Sequence, residues 1–306
     1  MKYVISNEQN GKTVKDILRF DIGLSAAFIK HLKFIENGIT LNGEHATVRK
    51  KVEAGDTLEL LTEDTDMAEH LTPCDIPLEI VYEDECVIVP NKPPFMPTHP
   101  SHLHHGDTLA DALAFIYKKS GSPFVFRPVN RLDRNTSGLT LIAKDRISAS
   151  KLAKAMKNGQ ITKQYLAVLD GVPEENEGVI EGYLRRTEES VIVRETCGKD
   201  EGGDYALTRY KVLQSANGYS LVLASPITGR THQLRVHFAS ISCAIVGDDM
   251  YGKADTRISR HALHALKLCF PHPATDMEIS LEAELPDDMK ELISTLFGTV
   301  EINSDK

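Results

Sequence analysis

The sequence predicts an α+β protein with a small N-terminal domain over residues 1–64 and a larger domain over residues 76–300. Hydrophobic residues make up 41% and charged residues 26% of its 306 residues, as in ordinary folded proteins. Residues 63–75 are polar and have neither helical nor strand periodicity, so we place a linker at 65–75. From Ile76 onward, strand-like and helix-like segments alternate. We expect residues 301–306 to be a frayed tail.

The N-terminal segment predicts two helices and then two strands. Residues 12–22 place three apolar side chains on one helical face, and Ser25 is a suitable N-cap for a second helix over 25–37. Gly38 follows at a C-cap position. The strands are predicted at 39–41 and 57–61, with the turn signal Asn42-Gly43 between them.

Basic residues recur in the second helix and in the segment after it. They are Lys30, Lys33, Arg49, Lys50 and Lys51. On charge alone they indicate either a solvated surface or contacts with phosphate groups. The net charge of −9 opposes a nucleic-acid partner, although a local basic groove on an acidic protein is compatible with one.

The larger domain predicts strands over 78–92, 139–144 and 164–172, with helices over 108–119 and 149–157. A further helix is expected to begin near Thr231, after a Pro- and Gly-containing break. No run of apolar residues approaches the roughly 20 that span a bilayer, and the N-terminus lacks a secretory signal. We therefore expect a cytoplasmic protein without membrane contact.

Three segments of this domain contain candidate site residues. Asp133 lies between two arginines in a polar loop, where it can face a cleft or instead cap a turn or pair with Arg131 or Arg134. Tyr165 lies in a predicted strand, either as a platform for a base or as a core residue. Arg235, one turn after Thr231, needs a carboxylate partner if it is buried, and otherwise contacts phosphate or solvent.

Residues 99–105 contain a cluster of four histidines. The cluster includes prolines and has neither a nearby cysteine nor a paired acidic ligand, so a polar loop is favoured over a metal site. His99 is a candidate for lining a cleft. The five cysteines are scattered and never form a CxxC pair, which predicts neither a disulfide framework nor a zinc site.

Six ordered segments resemble the RluA family of pseudouridine synthases. They are N-K-P-P-F-M-P-T-H-P, R-L-D-R-N-T-S-G-L, K-Q-Y-L-A-V, T-G-R-T-H-Q-L-R-V-H, G-D-D-M-Y-G and R-H-A-L-H-A-L-K-L. The resemblance implies a catalytic domain with a central mixed, largely antiparallel sheet flanked by helices. It also implies an isomerase acting on ribosomal (large-subunit) or transfer RNA, without cofactor or metal. We expect a monomer.

The resemblance also implies roles for individual residues. Asp133 would be the indispensable carboxylate, Tyr165 would stack on the target base, and Arg235 would pair with Asp133. Leu234 would be the apolar pocket residue beside Arg235. Arg131, Arg134 and Arg230 would hold the RNA or the flipped nucleotide. The family usually has His where this chain has Asn130, which predicts a change in how the RNA is opened.

The N-terminal pattern of two helices followed by G-I-T-L-N-G and A-G-D-T-L-E-L resembles the αL-type (S-four) RNA-binding domain. In that family the second helix and the next loop face RNA, which assigns that role to the five basic residues named above. Two rival readings of the whole chain are a catalytically inactive RNA-binding protein and a hydrolase with an aspartate nucleophile.

Overall fold

A computed structural model describes residues 1–61, 71–101 and 104–300. Most of the predicted linker and the predicted tail at 301–306 lie outside the described residues. The described α-helices are α1 (Val14–Asp16), α2 (Ala26–Leu32), α3 (Leu109–Lys119), α4 (Arg146–Lys157), α5 (Gln233–Ser240) and α6 (Asp287–Phe297). A short 3-10 helix (Asn7–Gln9) precedes α1, and a π-helix (Ile17–Asp21) follows it directly. Among these described segments, none is long and apolar enough to cross a membrane.

Two sheets contain all the described strands. The four-stranded sheet comprises β1 (Lys2–Val4), β2 (Ile39–Leu41), β3 (Glu44–His45) and β4 (Thr57–Leu60). The larger sheet comprises β5 (Glu79–Glu83), β6 (Val87–Lys92), β7 (Arg127–Pro128), β8 (Ser137–Leu139), β9 (Ile142–Ala143), β10 (Thr162–Asp170), β11 (Glu177–Arg186), β12 (Arg194–Cys197), β13 (Asp204–Ala216), β14 (Tyr219–Pro226), β15 (Ala244–Ile245), β16 (Leu263–Pro271) and β17 (Glu278–Glu282).

The larger sheet has the strand order β12-β11-β13-β14-β10-β16-β8-β6-β9-β7, with β5, β15 and β17 added at its sides. Within the described residues, β8 and β16 form its one parallel pair, and the other neighbours are antiparallel. Helices α5 and α6 pack Phe238 and Leu292 against the core built on β10. The predicted mixed, largely antiparallel sheet flanked by helices is therefore confirmed.

In the N-terminal region, α2 begins where the sequence predicts. The Ser25 side chain accepts a hydrogen bond from the Phe28 amide at 3.1 Å, which satisfies one free N–H of the first turn. The helix ends earlier than predicted, at Leu32, and the chain turns before reaching β2. Phe28 and Leu32 pack with Leu58 of β4 in a hydrophobic cluster of this region.

The turn at Asn42-Gly43 is present, but it joins different strands from those predicted. Its φ angles of 55° and 83° are those of a two-residue hairpin turn, and it connects β2 to β3 rather than to β4. The sequence did not reveal β3 because that strand has only two exposed polar residues. Strand β4 pairs with the other edge of β2.

Two boundaries in the larger domain also differ from the prediction. Helix α4 begins at Arg146 because the Asp145 carboxylate caps it, accepting hydrogen bonds from the Ile147 and Ser148 amides. The strand predicted at 139–144 is interrupted between β8 and β9. The buried Asn130 side chain spans the break, because its Oδ1 accepts from the Leu141 amide (2.7 Å) and its Nδ2 donates to the Leu139 carbonyl (3.3 Å).

Within the described residues, three buried histidines have a hydroxyl group, not a carboxylate, as their side-chain hydrogen-bond partner. His237, His261 and His264 each form a hydrogen bond with a hydroxyl group, those of Thr208, Thr136 and Ser137 respectively. Burial lowers their pKa values to about 4, about 3 and about 4. The folded protein therefore holds all three in the neutral form at neutral pH.

We expect these histidines to lower the free energy of unfolding in mild acid. Unfolded histidines take up protons below about pH 6.5, whereas the folded ones stay neutral to about pH 4, so the stabilisation is complete above pH 6.5 and is lost on acidification. Each should contribute roughly 1.4 kcal/mol per pH unit in that window. Urea unfolding at pH 7.5, 6.0 and 5.0 measures the slope.

The matched control is a histidine on the surface. His264→Gln should reduce the number of protons taken up on unfolding by about one, and with it the change of unfolding free energy per pH unit. The same substitution at the exposed His45 should leave that pH dependence unchanged. An equal pH dependence of the unfolding free energy in wild type and His264→Gln would contradict the conclusion that the fold holds His264 neutral.

Candidate active site

A cleft of about 1040 Å³ opens beside β10, between the loop that follows β7 and the segment that leads into α5. Five basic residues line it: Arg131, Lys157, Lys163, Arg230 and Arg235. Asp133 is the one acidic residue among the described residues that line it. The cleft is thus basic although the chain as a whole has a net charge of −9.

Asp133 lies in the loop between β7 and β8 with its side chain 28% exposed. Its carbonyl accepts a hydrogen bond from the Thr136 amide at 3.1 Å, which closes a turn. The carboxylate Oδ2 lies 3.6 Å from Arg235 Nη1 and 3.9 Å from His232 Nε2. It is therefore open to the cleft while two nitrogen-bearing side chains approach it from the protein.

The backbone on both sides of Asp133 is held by buried side chains. Lys92 Nζ donates to the carbonyl of Arg134 at 3.1 Å and to those of Pro93 and Met96 at 2.9 and 2.8 Å. Burial, and next the charge of Arg260, lowers the pKa of Lys92 to about 7. On the other side, Thr98 Oγ1 donates to the Leu132 carbonyl at 3.0 Å.

Residues 260–264 hold the next part of the loop. Arg260, fully buried, donates from Nη1 to the Asn135 carbonyl at 3.1 Å, and its Nε and Nη2 bind the Asp288 carboxylate of α6 at 2.6 and 2.8 Å. The hydroxyls of Thr136 and Ser137 bind His261 and His264 at 2.8 and 2.9 Å.

Gly138 completes this attachment at the parallel pair of β8 and β16. It has a φ of 114°, and a Cβ there would lie 2.3 Å from the Ala265 carbonyl oxygen. Only glycine allows both the conformation and the close approach. The T-S-G triplet therefore fixes the Asp133 loop to β16.

Arg235 binds a second carboxylate more tightly than Asp133. Its Nε and Nη2 donate to the two carboxylate oxygens of Asp248, both at 2.7 Å, and its guanidinium lies 5.0 Å from the Tyr251 ring centre. Burial opposes the charged forms, but the hydrogen bonds and mutual charge outweigh it, so the pKa of Arg235 is raised and that of Asp248 lowered.

The pairing with Asp133 that the sequence predicts is therefore one of two carboxylate contacts of Arg235. Arg235 Nη1 lies 3.6 Å from Asp133, but its two shortest contacts are to Asp248, a residue without an assigned role in the sequence-based prediction. The signal was the aspartate that directly follows the glycine of G-D-D-M-Y-G, shortly after the helix that contains Arg235. A buried arginine with a fork of donors favours a buried, bidentate carboxylate.

His232 connects this ion pair to a neighbouring strand. It is the N-terminal cap residue of α5, with a left-handed φ of 57°, and its Nδ1 is 2.8 Å from the Tyr251 hydroxyl. That hydroxyl accepts from the Arg194 amide of β12 at 2.8 Å. Burial lowers the pKa of His232, and the charge of Asp133 partly offsets this effect.

Tyr165 and Leu234 supply the apolar part of the cleft. Both are buried, and both line it together with Leu132 and Leu263. Burial, and next the negative charge of Asp133, raises the pKa of Tyr165. The phenol is therefore held in its neutral, hydrogen-bond-donating form beside the carboxylate.

The remaining predicted residues lie at different distances from this centre. His99, Arg131 and Arg230 line the cleft, and Arg230 Nε donates to the Tyr205 carbonyl at 3.0 Å. Arg134 is exposed and is not among the lining residues. The five basic residues of the N-terminal region lie outside the cleft, and His102 lies outside the described residues.

One group of metal-ligating residue types occurs in the described part of the chain, at Asp84, Cys86 and His272. Its carboxylate and imidazole atoms already take part in hydrogen bonds of the fold. Asp84 Oδ2 accepts from the Tyr82 hydroxyl at 2.7 Å and bonds to His272 Nε2 at 2.8 Å, while Oδ1 accepts from the Cys86 amide. We assign this group to structure.

We expect Asp248→Asn to destabilise the fold by about 3–5 kcal/mol, because it leaves Arg235 charged and buried without its bidentate partner. Chemical unfolding at neutral pH measures the loss. Lys253→Gln, which removes a surface pair with Asp170, is the control and should lower the free energy of unfolding far less than Asp248→Asn does. Arg235→Gln/Asp248→Asn should be more stable than Arg235→Ala alone. Similar losses in Asp248→Asn and Lys253→Gln would contradict the pairing.

Comparison with known proteins agrees with this geometry. The family model described as RNA pseudouridylate synthase matches residues 86–240, which include Asp133, Tyr165 and Arg235. The Bacillus subtilis protein named uncharacterized RNA pseudouridine synthase YjbO is 36% identical over 89% of this chain and 95% of its own length. The ribosomal large subunit pseudouridine synthase D of Zymomonas mobilis is 35% identical, over 89% and 90%.

Two solved human structures share the fold. RNA Pseudouridylate Synthase Domain Containing 4 aligns with a TM-score of 0.57 and 26% identity over 70% of this chain and 91% of that one. RNA Pseudouridylate Synthase Domain Containing 1 aligns with a TM-score of 0.56 and 27% identity over 74% and 97%. The cleft built around one loop carboxylate, the six ordered motifs and these relatives agree: the chain belongs to the RNA pseudouridylate synthase family.

Proposed function

We propose that this protein converts specific uridines to pseudouridine in structured large-subunit ribosomal RNA. The observation that carries the proposal is the cleft, which five basic side chains and a single carboxylate line on an acidic protein. A polyanion is attracted into such a cleft, and the carboxylate is left for the reacting nucleotide. The names of several relatives, among them those from Zymomonas mobilis and Vibrio cholerae, favour this RNA over transfer RNA.

The reaction is an isomerisation that needs no redox equivalent. The glycosidic bond between N1 and the ribose carbon breaks, the base turns, and C5 bonds to the same carbon. C5 loses its proton and N1 gains one, so atoms and charge balance. Asp133 is assigned the initiating step, either attack on the ribose carbon or removal of a ribose proton, and both need its ionised form.

The neighbours of Asp133 suit either step. Arg235 presents a fixed positive charge 3.6 Å from the carboxylate. Tyr165 offers an aromatic face to the base and a neutral hydroxyl for a hydrogen bond, and Leu234 contributes an apolar wall. Such a pocket receives a base that has left its stack, which costs a few kcal/mol and favours loops or bulges.

Residues nearer the mouth of the cleft are assigned to the RNA. Arg131 and Arg230 line the opening, Arg134 is exposed beside Asp133, and His99 packs edge-on against Phe126 with ring centres 5.2 Å apart. We assign the three arginines to phosphate contacts and His99 to the wall. Asn130 lines the same cleft, so its replacement of the family's usual His bears on how the RNA is opened.

Residues 1–64 are assigned the role of an αL-type RNA-binding domain. Lys30, Lys33, Arg49, Lys50 and Lys51 are all exposed. Within the part of the chain that the structure describes, none of them forms an ion pair with a carboxylate. Cations that are not neutralised by the protein remain available to phosphate groups.

The proposed substrate also bears on location and assembly. An enzyme of ribosomal RNA is expected where ribosomes are made, so we assign the protein to the cytoplasm. One cleft contains all the proposed reacting groups of one chain, and we accordingly propose a monomer. Fractionation of cells and sedimentation of the purified protein test these two assignments.

We expect Asp133→Asn to abolish pseudouridine formation while leaving the fold and RNA affinity nearly unchanged, because the amide keeps the shape but cannot act as an anion. Single-turnover conversion of unmodified ribosomal RNA, with the target sites mapped in a deletion strain, measures the effect. Asp200→Asn, at an exposed turn, is the control.

The same assay separates the rival functions. A catalytically inactive RNA-binding protein would show no conversion in wild type, and a hydrolase would release bases or fragments. Turnover by Asp133→Asn within tenfold of wild type would exclude Asp133 from the mechanism.

For the N-terminal domain, we expect Lys30→Gln/Lys33→Gln/Lys50→Gln to weaken RNA binding. The slope of log affinity against log salt should become shallower by roughly 0.7–0.9 for each phosphate that is no longer bound. The single-turnover rate at saturating RNA should stay close to wild type, because these residues lie outside the cleft. Lys118→Gln/Lys119→Gln, on the exposed end of α3, is the control. An unchanged affinity and salt slope in the triple variant would exclude this role.

A further inference from the structure

Helix α4 lies between the N-terminal region and the catalytic cleft. At its start, Ile147 packs against the N-terminal hydrophobic cluster, and the Ser150 hydroxyl accepts a hydrogen bond from the Ser25 amide at 2.6 Å. Arg146 bonds to His31 of α2. At its end, Met156 and Lys157 line the cleft. One helix of 12 residues, about 18 Å long, therefore joins the two proposed RNA-binding regions.

The contacts at both ends lie along one stripe of the helix. Ile147, Ser150, Lys154 and Lys157 are separated by three, four and three residues, which is the spacing of a single helical face. Lys154 is next to the N-terminal region, since a Cβ on Gly23 would lie 3.7 Å from its Nζ. The stripe thus runs from the N-terminal region, past Lys154, to Lys157 in the cleft wall.

This stretch is also free of negative charge. From Arg146 to Leu169 the chain contains no aspartate or glutamate, and its basic residues are Arg146, Lys151, Lys154, Lys157 and Lys163. In the whole chain, acidic residues outnumber basic ones by 44 to 35. Lys154 and Lys157 are exposed, and in the described residues neither forms an ion pair. Lys151 differs, because its Nζ donates to the Pro273 carbonyl at 2.6 Å.

Lys163 extends the positive surface inside the cleft. It lies on β10 two residues before Tyr165, and a Cβ on Gly229 across the cleft would lie 3.9 Å from its Nζ. Its pKa is lowered by burial alone, with no carboxylate contributing. An incoming phosphate group would supply the missing negative charge.

From these contacts we propose that α4 is a phosphate-binding ridge that leads the RNA backbone from the N-terminal region to the cleft through Lys154 and Lys157. The inference rests on the proposed function and names the path that the substrate takes between its two binding regions. Lysines one helical turn apart lie about 5–6 Å from each other at Cβ, which allows contact with neighbouring phosphates of one strand. RNA is chosen over an acidic protein because the ridge ends beside the base-binding part of the cleft.

The test is the binding of the full-length Lys154→Gln/Lys157→Gln protein to unmodified, in vitro transcribed large-subunit ribosomal RNA at 50, 100 and 200 mM KCl. We expect affinity to fall several-fold at 100 mM and the slope of log affinity against log salt to become shallower by roughly 1.4 to 1.8. Lys118→Gln/Lys119→Gln removes the same charge from α3 and should change neither quantity. An affinity and slope equal to wild type would overturn the ridge.

A second measurement locates the RNA directly. A photo-reactive group on Lys154→Cys and on Lys157→Cys should cross-link to RNA, with the nucleotide reached from position 157 closer to the target uridine than that reached from position 154. Failure of both to cross-link, or the reverse order, would overturn the path. If wild type converts uridine but the lysine variants behave as wild type, this inference alone fails, whereas absence of conversion in wild type would refute the proposed function.

Discussion

Arg235 lies between two carboxylates, and the arrangement of the site depends on which of them holds it. A guanidinium has five N–H donors in a fixed plane. Asp248 takes two nitrogens, Nε and Nη2, and leaves Nη1 directed at Asp133. The position of the cation is therefore set by a residue that takes no part in the proposed chemistry. Asp133 can therefore react while Arg235, which opposes its charge, stays bound to Asp248.

The loop that contains Asp133 shows the same separation of support from chemistry. Its backbone carbonyls, at Arg134 and Asn135, accept hydrogen bonds from the buried side chains of Lys92 and Arg260. Two motifs that are distant in sequence thus act on one turn, because buried carbonyls need donors and a buried charge needs several acceptors. A reacting group held in this way loses little freedom when the substrate binds, which is how rigid support contributes to rate.

Much of this could be predicted from the sequence wherever the signal was local. Ser25 as a cap, the helix after Thr108 and the Asp133 loop are encoded within a few residues of themselves. What the sequence did not reveal were contacts between separate segments, such as Arg235 with Asp248 and Asn130 with the break between β8 and β9. Strand β3 was missed for a different reason, because it consists of only two exposed polar residues. In the sequence Asp248 resembles an ordinary turn residue, and only the fold shows that it binds the buried Arg235.

The net charge of the whole protein does not indicate whether it binds RNA. Salt screens exposed charges beyond about 8–10 Å, so an RNA strand responds to the cations near it and only weakly to the sum over the chain. Several carboxylates are neutralised locally, as Asp288 is by Arg260 and Asp255 by Arg257. In the acid-free stretch from Arg146 to Leu169, by contrast, Lys154 and Lys157 are exposed and form no ion pair within the described residues. An acidic protein arranged in this way repels RNA from most of its surface and admits it where the cations gather, which favours selective over non-specific binding.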